Sequence, residues 1–125
     1  MSKHRNIPKK DRLIVFGKYN GHCAYCGCEI AYKDMQVDHI ESVYVNTDCK
    51  QIMNDSEMYC HENYMPTCRQ CNFYKSTFDL GTFKKRLTEI MLINLQKDFN
   101  YRLALKYGLI TENIKHVQFY FEQVN

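Results

Sequence analysis

The sequence predicts a small α+β protein built around a four-cysteine metal site, and three features predict it. Two C-x-x-C pairs, Cys23/Cys26 and Cys68/Cys71, stand on one chain. Met35 to Ile40 alternates with the period of a strand, and a long run after Gly81 carries apolar residues at helical spacing. At 125 residues, 45% hydrophobic and 14% aromatic, the chain is of one-domain size and can bury a core. The expected organisation is a single domain over 1–125, with a core at about 21–77, an N-terminal helix and a helical C-terminal extension at about 81–125.

In chain order, Pro8 stands where a first helical turn tolerates proline, and the apolar patch Leu13 to Phe16 follows. This predicts a helix from about Pro8 to Lys18, ended by the Asn20-Gly21 turn signal. Met35 to Ile40 predicts a strand, with Val37 inward if His39 shares its face. From Glu41 to Glu62 the chain is polar, acidic and aperiodic, which reads as a long loop or an insertion. A short helix is expected between Thr67 and Thr77. Beyond Gly81, Phe83, Leu87, Ile90, Met91, Leu95, Phe99, Leu103 and Tyr107 recur at helical spacing and are expected in the core. Gly108 is the expected stop, and Val117, Phe119 and Phe121 alternate with polar neighbours as a short terminal strand.

Composition excludes several classes. The longest apolar runs, Leu13 to Phe16 and Ile90 to Ile93, are four residues each, far short of the roughly 20 a membrane span needs. The basic N-terminus is not followed by the apolar stretch of a secretory signal, so a cytoplasmic location is expected. Seven cysteines cannot all pair within one molecule, which makes metal binding the default in that compartment. Net charge is only +3, but it is unevenly spread: six Lys/Arg against one acid over 1–27, two against eight over 28–63, nine against five over 64–125. Basic flanks suit a polyanion and an acidic middle suits a divalent cation, although solvated faces account for the same charges.

Each C-x-x-C lets two thiolates reach one tetrahedral zinc, and Gly27 after Cys26 permits a tight turn. Cys23, Cys26, Cys68 and Cys71 are therefore the expected structural zinc ligands, with Cys28, Cys49 and Cys60 left as buried free thiols. Between and around the pairs, Asp38-His39 sets a carboxylate beside an imidazole on a strand, and Asn63 and Asn72 flank the second pair. Singly each is unremarkable: an Asp-His dipeptide usually makes a surface hydrogen bond, and either asparagine suits a turn or cap.

Their order, C-x-x-C, then Asp38-His39-Ile40, then Asn63, then Cys68-Arg69-Gln70-Cys71-Asn72-Phe73-Tyr74-Lys75, resembles the HNH endonuclease family in its zinc-knuckle-containing phage and bacterial form. The match runs over roughly residues 21–75. The resemblance implies a ββα-metal fold that cuts DNA by hydrolysis. It implies His39 as the general base, Asn63 as the residue that positions the histidine loop, and Asp38 and Asn72 as ligands of one catalytic divalent ion. Oxygen donors of that kind suit Mg²⁺ or Mn²⁺, and phosphodiester hydrolysis needs both a base and a cation. The sequence departs from the pattern after Ile40, where Glu41-Ser42-Val43-Tyr44-Val45-Asn46 replaces the usual Pro and Gly-rich turn. Glu41, Asp48, Asp55, Glu57 and His61 are candidate extra ligands there, and His22 and His116 are read as non-catalytic.

DNA is the expected partner, held through its phosphates by Arg69 and Lys75 near the site. Lys3, Arg5, Lys9, Lys10, Arg12, Lys84, Lys85 and Arg86 would serve on the flanks. Two other readings stay open: a zinc-stabilised nucleic-acid-binding protein that does not cut, and a regulator that contacts another nuclease. A further protein partner and the oligomeric state are not specified by the sequence.

Overall fold

A computed structural model of the chain describes residues 7–40 and 63–124. The acidic segment 41–62 lies outside the described residues, and with it Glu41, Asp48, Asp55, Glu57, His61, Cys49 and Cys60; Lys3 and Arg5 do too. The chain divides into two units, Met1–Asp79 with Phe119–Asn125, and Leu80–Gln118.

In the first unit, helix α1 spans Lys9–Gly17. Pro8, at φ −59°, precedes it, and its carbonyl accepts the amides of Asp11 and Arg12, both at 3.0 Å. Val15 is the buried residue of α1 and joins Met35 and Tyr64 in a small core, with Ile7, Phe16, Ile30, Tyr32 and Val37 packed around it. Asn20 and Gly21, both at positive φ, turn the chain as the Asn-Gly signal predicts.

Strands β1 (Gln36–His39) and β2 (Tyr64–Thr67) pair antiparallel, with Gln36 opposite Thr67, Val37 opposite Pro66, Asp38 opposite Met65 and His39 opposite Tyr64. Pro66 has no N–H to give, which a strand with a single partner tolerates. Its carbonyl is used instead, accepting the amide of Ala24 at 2.8 Å. One further bond, Ile40 N–H to the Asn63 carbonyl at 2.8 Å, continues the pairing past His39. Helix α2 (Arg69–Lys75) follows β2 directly.

The terminal strand expected around Val117 to Phe121 is a short helix instead, α6, at Tyr120–Gln123. The Glu122 carboxylate accepts the Phe119 amide at 2.9 Å, and the amides of Tyr120 and Phe121 go to the carbonyls of Tyr25 and Ala24 at 3.0 and 2.9 Å. Those donors are spent on the first knuckle, so none is left for a ladder. Alternation here reflects two aromatic faces rather than a strand: Phe119 and Phe121 both pack on Tyr25.

In the second unit, α3 (Leu80–Lys85) runs through a π turn (Arg86–Ile90) into α4 (Met91–Gln96), and α5 (Phe99–Lys106) follows. Asp98 caps α5 by accepting the Tyr101 amide at 2.9 Å, and Gly108, at φ +72°, stands just beyond its end. Glu112 accepts from Gln96 at 3.1 Å and from the Tyr101 hydroxyl at 3.0 Å. Of the expected core positions Phe83 is buried, but Ile90, Met91, Leu95, Phe99, Leu103 and Tyr107 are 36–74% exposed. The π turn inserts a residue into the 3.6 repeat, and the break at Lys97-Asp98 starts α5 afresh, so no single helical phase runs through 83–107.

Candidate functional site

The four cysteines of the two knuckles meet at one point. Their sulfur atoms all lie within 4.8 Å of one another, and Cys26 and Cys68 are 3.8 Å apart although 42 positions separate them in the chain. Four sulfurs set tetrahedrally about zinc at about 2.3 Å would stand about 3.8 Å from each other, so the cluster can hold one zinc ion. Two backbone devices build it. Gly27, at φ +82°, lets the first knuckle turn under Tyr120, whose ring a Cβ there would meet at 2.8 Å. Cys68 is the N-cap of α2, its sulfur accepting the Cys71 amide at 3.5 Å. Among the bare thiols, a hydrogen bond from Cys71 holds Cys23 down at about 4, while that same bond and then burial push Cys71 far up. One thiolate so placed opposes a second beside it, so the four sulfurs can all carry charge only around a cation. Cys28 is exposed rather than a buried thiol, with its carbonyl accepting the Cys23 amide at 2.8 Å.

Beside this cluster lies the Asp-His pair. Asp38 and His39 are 5% and 7% exposed, and Asn63, next to β2, is 2% exposed. The His39 ring meets Tyr64 edge-on, and Asn63 bonds the backbone just past His39. Asn72 is half-buried on α2, one residue after Cys71. Asp38 is gripped from two sides: the Tyr25 hydroxyl donates to Oδ2 at 2.6 Å, and Lys75 Nζ lies 3.1 Å from Oδ2 and 3.3 Å from Oδ1. Burial raises the Asp38 carboxyl above its ordinary value, and Lys75, then Tyr25, offset only part of that rise.

Lys75 corrects one expectation. It is fully buried and donates to Asp38 and to the His39 carbonyl at 3.2 Å, so it offers nothing to a DNA phosphate. Its charge is better neutralised inside, where a carboxylate and a carbonyl meet it, than left unpaired in a low-dielectric interior. Arg12 is also engaged within the protein, donating to the Met35 carbonyl at 3.0 Å and lying over the Tyr32 ring. Lys9, Lys10, Arg69 and Lys85 are exposed, and Lys84 and Arg86 are half-buried. His22 stacks on Tyr120, with its Nδ1 3.1 Å from the Tyr19 carbonyl. His116 is exposed. Tyr25 is the partner of Asp38 that the sequence pattern does not single out, since a tyrosine at a variable position inside C-x-x-C carries no signal of its own.

No helix among the described residues is long and apolar enough to cross a membrane. No protein-family model matches the chain, and no curated protein matches its sequence. Among solved structures the chain is similar to the Type II-C Cas9 enzyme from Actinomyces naeslundii, with a TM-score of 0.50 and 25% identity. The likeness covers 68% of this chain and 8% of that enzyme, so the chain corresponds to a small part of its length.

Proposed function

We propose that the chain is a metal-dependent endonuclease of the HNH type, with its ββα-metal core in β1, β2 and α2, and that it hydrolyses phosphodiester bonds in DNA. One observation carries the reading: the buried Asp38-His39 pair on β1 sits against α2, which bears Asn72 and closes the four-cysteine cluster. The likeness to part of a Cas9 enzyme supports a nuclease relation.

In this reading His39 takes a proton from the attacking water. Asn63 fixes the chain beyond His39 through its carbonyl bond to Ile40. Asp38 and Asn72 would hold Mg²⁺ or Mn²⁺; as oxygen donors they suit a hard ion, and a carboxylate keeps acceptor capacity beyond its bonds to Tyr25 and Lys75. The bound ion would offset the negative charge that develops on the phosphate and leaving oxygen. A zinc held by Cys23, Cys26, Cys68 and Cys71 would be structural, and those residues belong to the knuckle and to the start of α2. Exposed Arg69, Lys9 and Lys10, with Lys84, Lys85 and Arg86 in the second unit, supply phosphate contacts.

Incubating the purified protein with plasmid DNA and Mg²⁺ tests the reading. Nicking or linearisation that disappears in His39→Ala supports it. Intact plasmid across Mg²⁺ and Mn²⁺ with zinc-loaded protein overturns it and favours a non-cutting binder.

A further inference from the structure

We infer that Tyr25 and Lys75 are positioning residues that hold the Asp38-His39 segment in place, one from the zinc knuckle and one from α2; the inference rests on the nuclease reading for its consequence in catalysis.

A buried lysine is rarely tolerated without partners, and Lys75 has acceptors on two consecutive residues. Its ammonium, a three-donor group, reaches both Asp38 oxygens and the His39 carbonyl at 3.1–3.3 Å. It touches His39 through the backbone, which makes it a holder of the strand and not a partner of the imidazole. From the other side the Tyr25 hydroxyl donates to Asp38 at 2.6 Å, a short bond of the kind formed to a charged acceptor. The Tyr25 ring cannot drift, because Phe119 and Phe121 flank it at centroid distances of 5.1 and 6.2 Å. Its backbone is equally fixed: the Tyr120 amide bonds its carbonyl, and neighbouring Ala24 is tied to Pro66 and Phe121. Tyr25 also lies between two of the four clustered cysteines, so the geometry of the metal knuckle reaches Asp38 through one hydroxyl.

The test compares wild type with Tyr25→Phe, which deletes the hydroxyl alone, and with Lys75→Arg and Lys75→Met, all zinc-loaded. Zinc content, melting, the His39 ring resonances by NMR of histidine-labelled protein, and kcat and KM for plasmid cleavage are read together. Tyr25→Phe should keep its zinc and a cooperative melt, shift the His39 resonances, and lower kcat roughly tenfold with KM unchanged, the loss of one bond to a charged group. Lys75→Arg should be milder than Lys75→Met. If Lys75→Met does not fold, Tyr25→Phe and Lys75→Arg decide the matter. Unmoved His39 resonances in Tyr25→Phe overturn the inference whatever the cleavage rate, and so does a change in KM alone. Wild type that fails to cut would instead overturn the nuclease reading, and the resonances would still decide whether the two residues position His39.

Discussion

The imidazole of His39 meets the ring of Tyr64 edge-on, with centroids 5.2 Å apart and planes at 89°, because the antiparallel register sets these two residues opposite each other. The candidate base is thus held by a ring on one side and by the backbone grip of Lys75 on its carbonyl.

Replacing His39 by alanine removes the imidazole and leaves the pairing of β1 and β2 intact. Cleavage should fall by roughly 10²–10⁴-fold while zinc content and DNA affinity stay near wild type. Plasmid-cleavage rate and DNA affinity of the two proteins, with metal content measured alongside, check this.

Cys68→Ser should lose the zinc and destabilise the protein, although serine is itself a good N-cap for α2. Any loss therefore reports on the metal, whose binding contributes on the order of 10 kcal/mol in zinc-finger peptides. Cys28→Ser, outside the four-sulfur cluster, should keep one zinc per chain. Metal analysis with thermal melts distinguishes the two, and a Cys68→Ser protein with unchanged melting would count against the site.

Brief EDTA treatment should abolish cleavage without unfolding the protein, and Mg²⁺ or Mn²⁺ should restore it, because oxygen donors exchange a hard ion more readily than four thiolates release zinc. Asn72→Ala should reproduce the chelator's effect with little loss of stability. Asp38→Ala should be worse on both counts, since it also strands the buried Lys75 charge at a cost of about 3–5 kcal/mol. Cleavage that survives chelation sinks the catalytic-ion assignment.

Tyr25 predicts an alkaline signature. Burial first, and then Asp38, raise its phenol above the ordinary value of 10.0. Its contribution to stability is full below the unfolded value and is lost as pH rises from there toward the folded value, because the unfolded chain ionises first. Above pH 10.0 the wild type should lose up to about 1.4 kcal/mol per pH unit relative to Tyr25→Phe. Urea unfolding of both proteins at several alkaline pH values measures the difference.

Gly27→Ala should destabilise by about 1–3 kcal/mol, as its positive φ disfavours a side chain and the new Cβ would meet Tyr120. Gly17→Ala, at the end of α1 with nothing within 4 Å of the added atom, should be neutral or mildly stabilising. Melting temperatures of the pair make the comparison.

The sequence by itself determined the local chemistry. Proline before α1, the Asn20-Gly21 turn, the strand through Asp38 and His39, and the matched C-x-x-C spacings all act within a few residues, where backbone sterics and ligand reach leave few alternatives. Only the tertiary structure decided what depends on neighbours far along the chain. Lys75 reads as a surface cation until β1 supplies Asp38 as its partner, and Tyr25 gains a role only once the knuckle folds against that strand. Helical spacing in 83–107 could not show that a π turn and a break at Lys97-Asp98 would divide the run, nor that most of those apolar residues would be exposed. Alternation at 117–121 could not become a strand, because the amides of Tyr120 and Phe121 found carbonyls on the knuckle and left no ladder to join. A charge or an amide is settled by whichever partner removes it from water at least cost, and that partner is chosen by packing rather than by adjacent sequence.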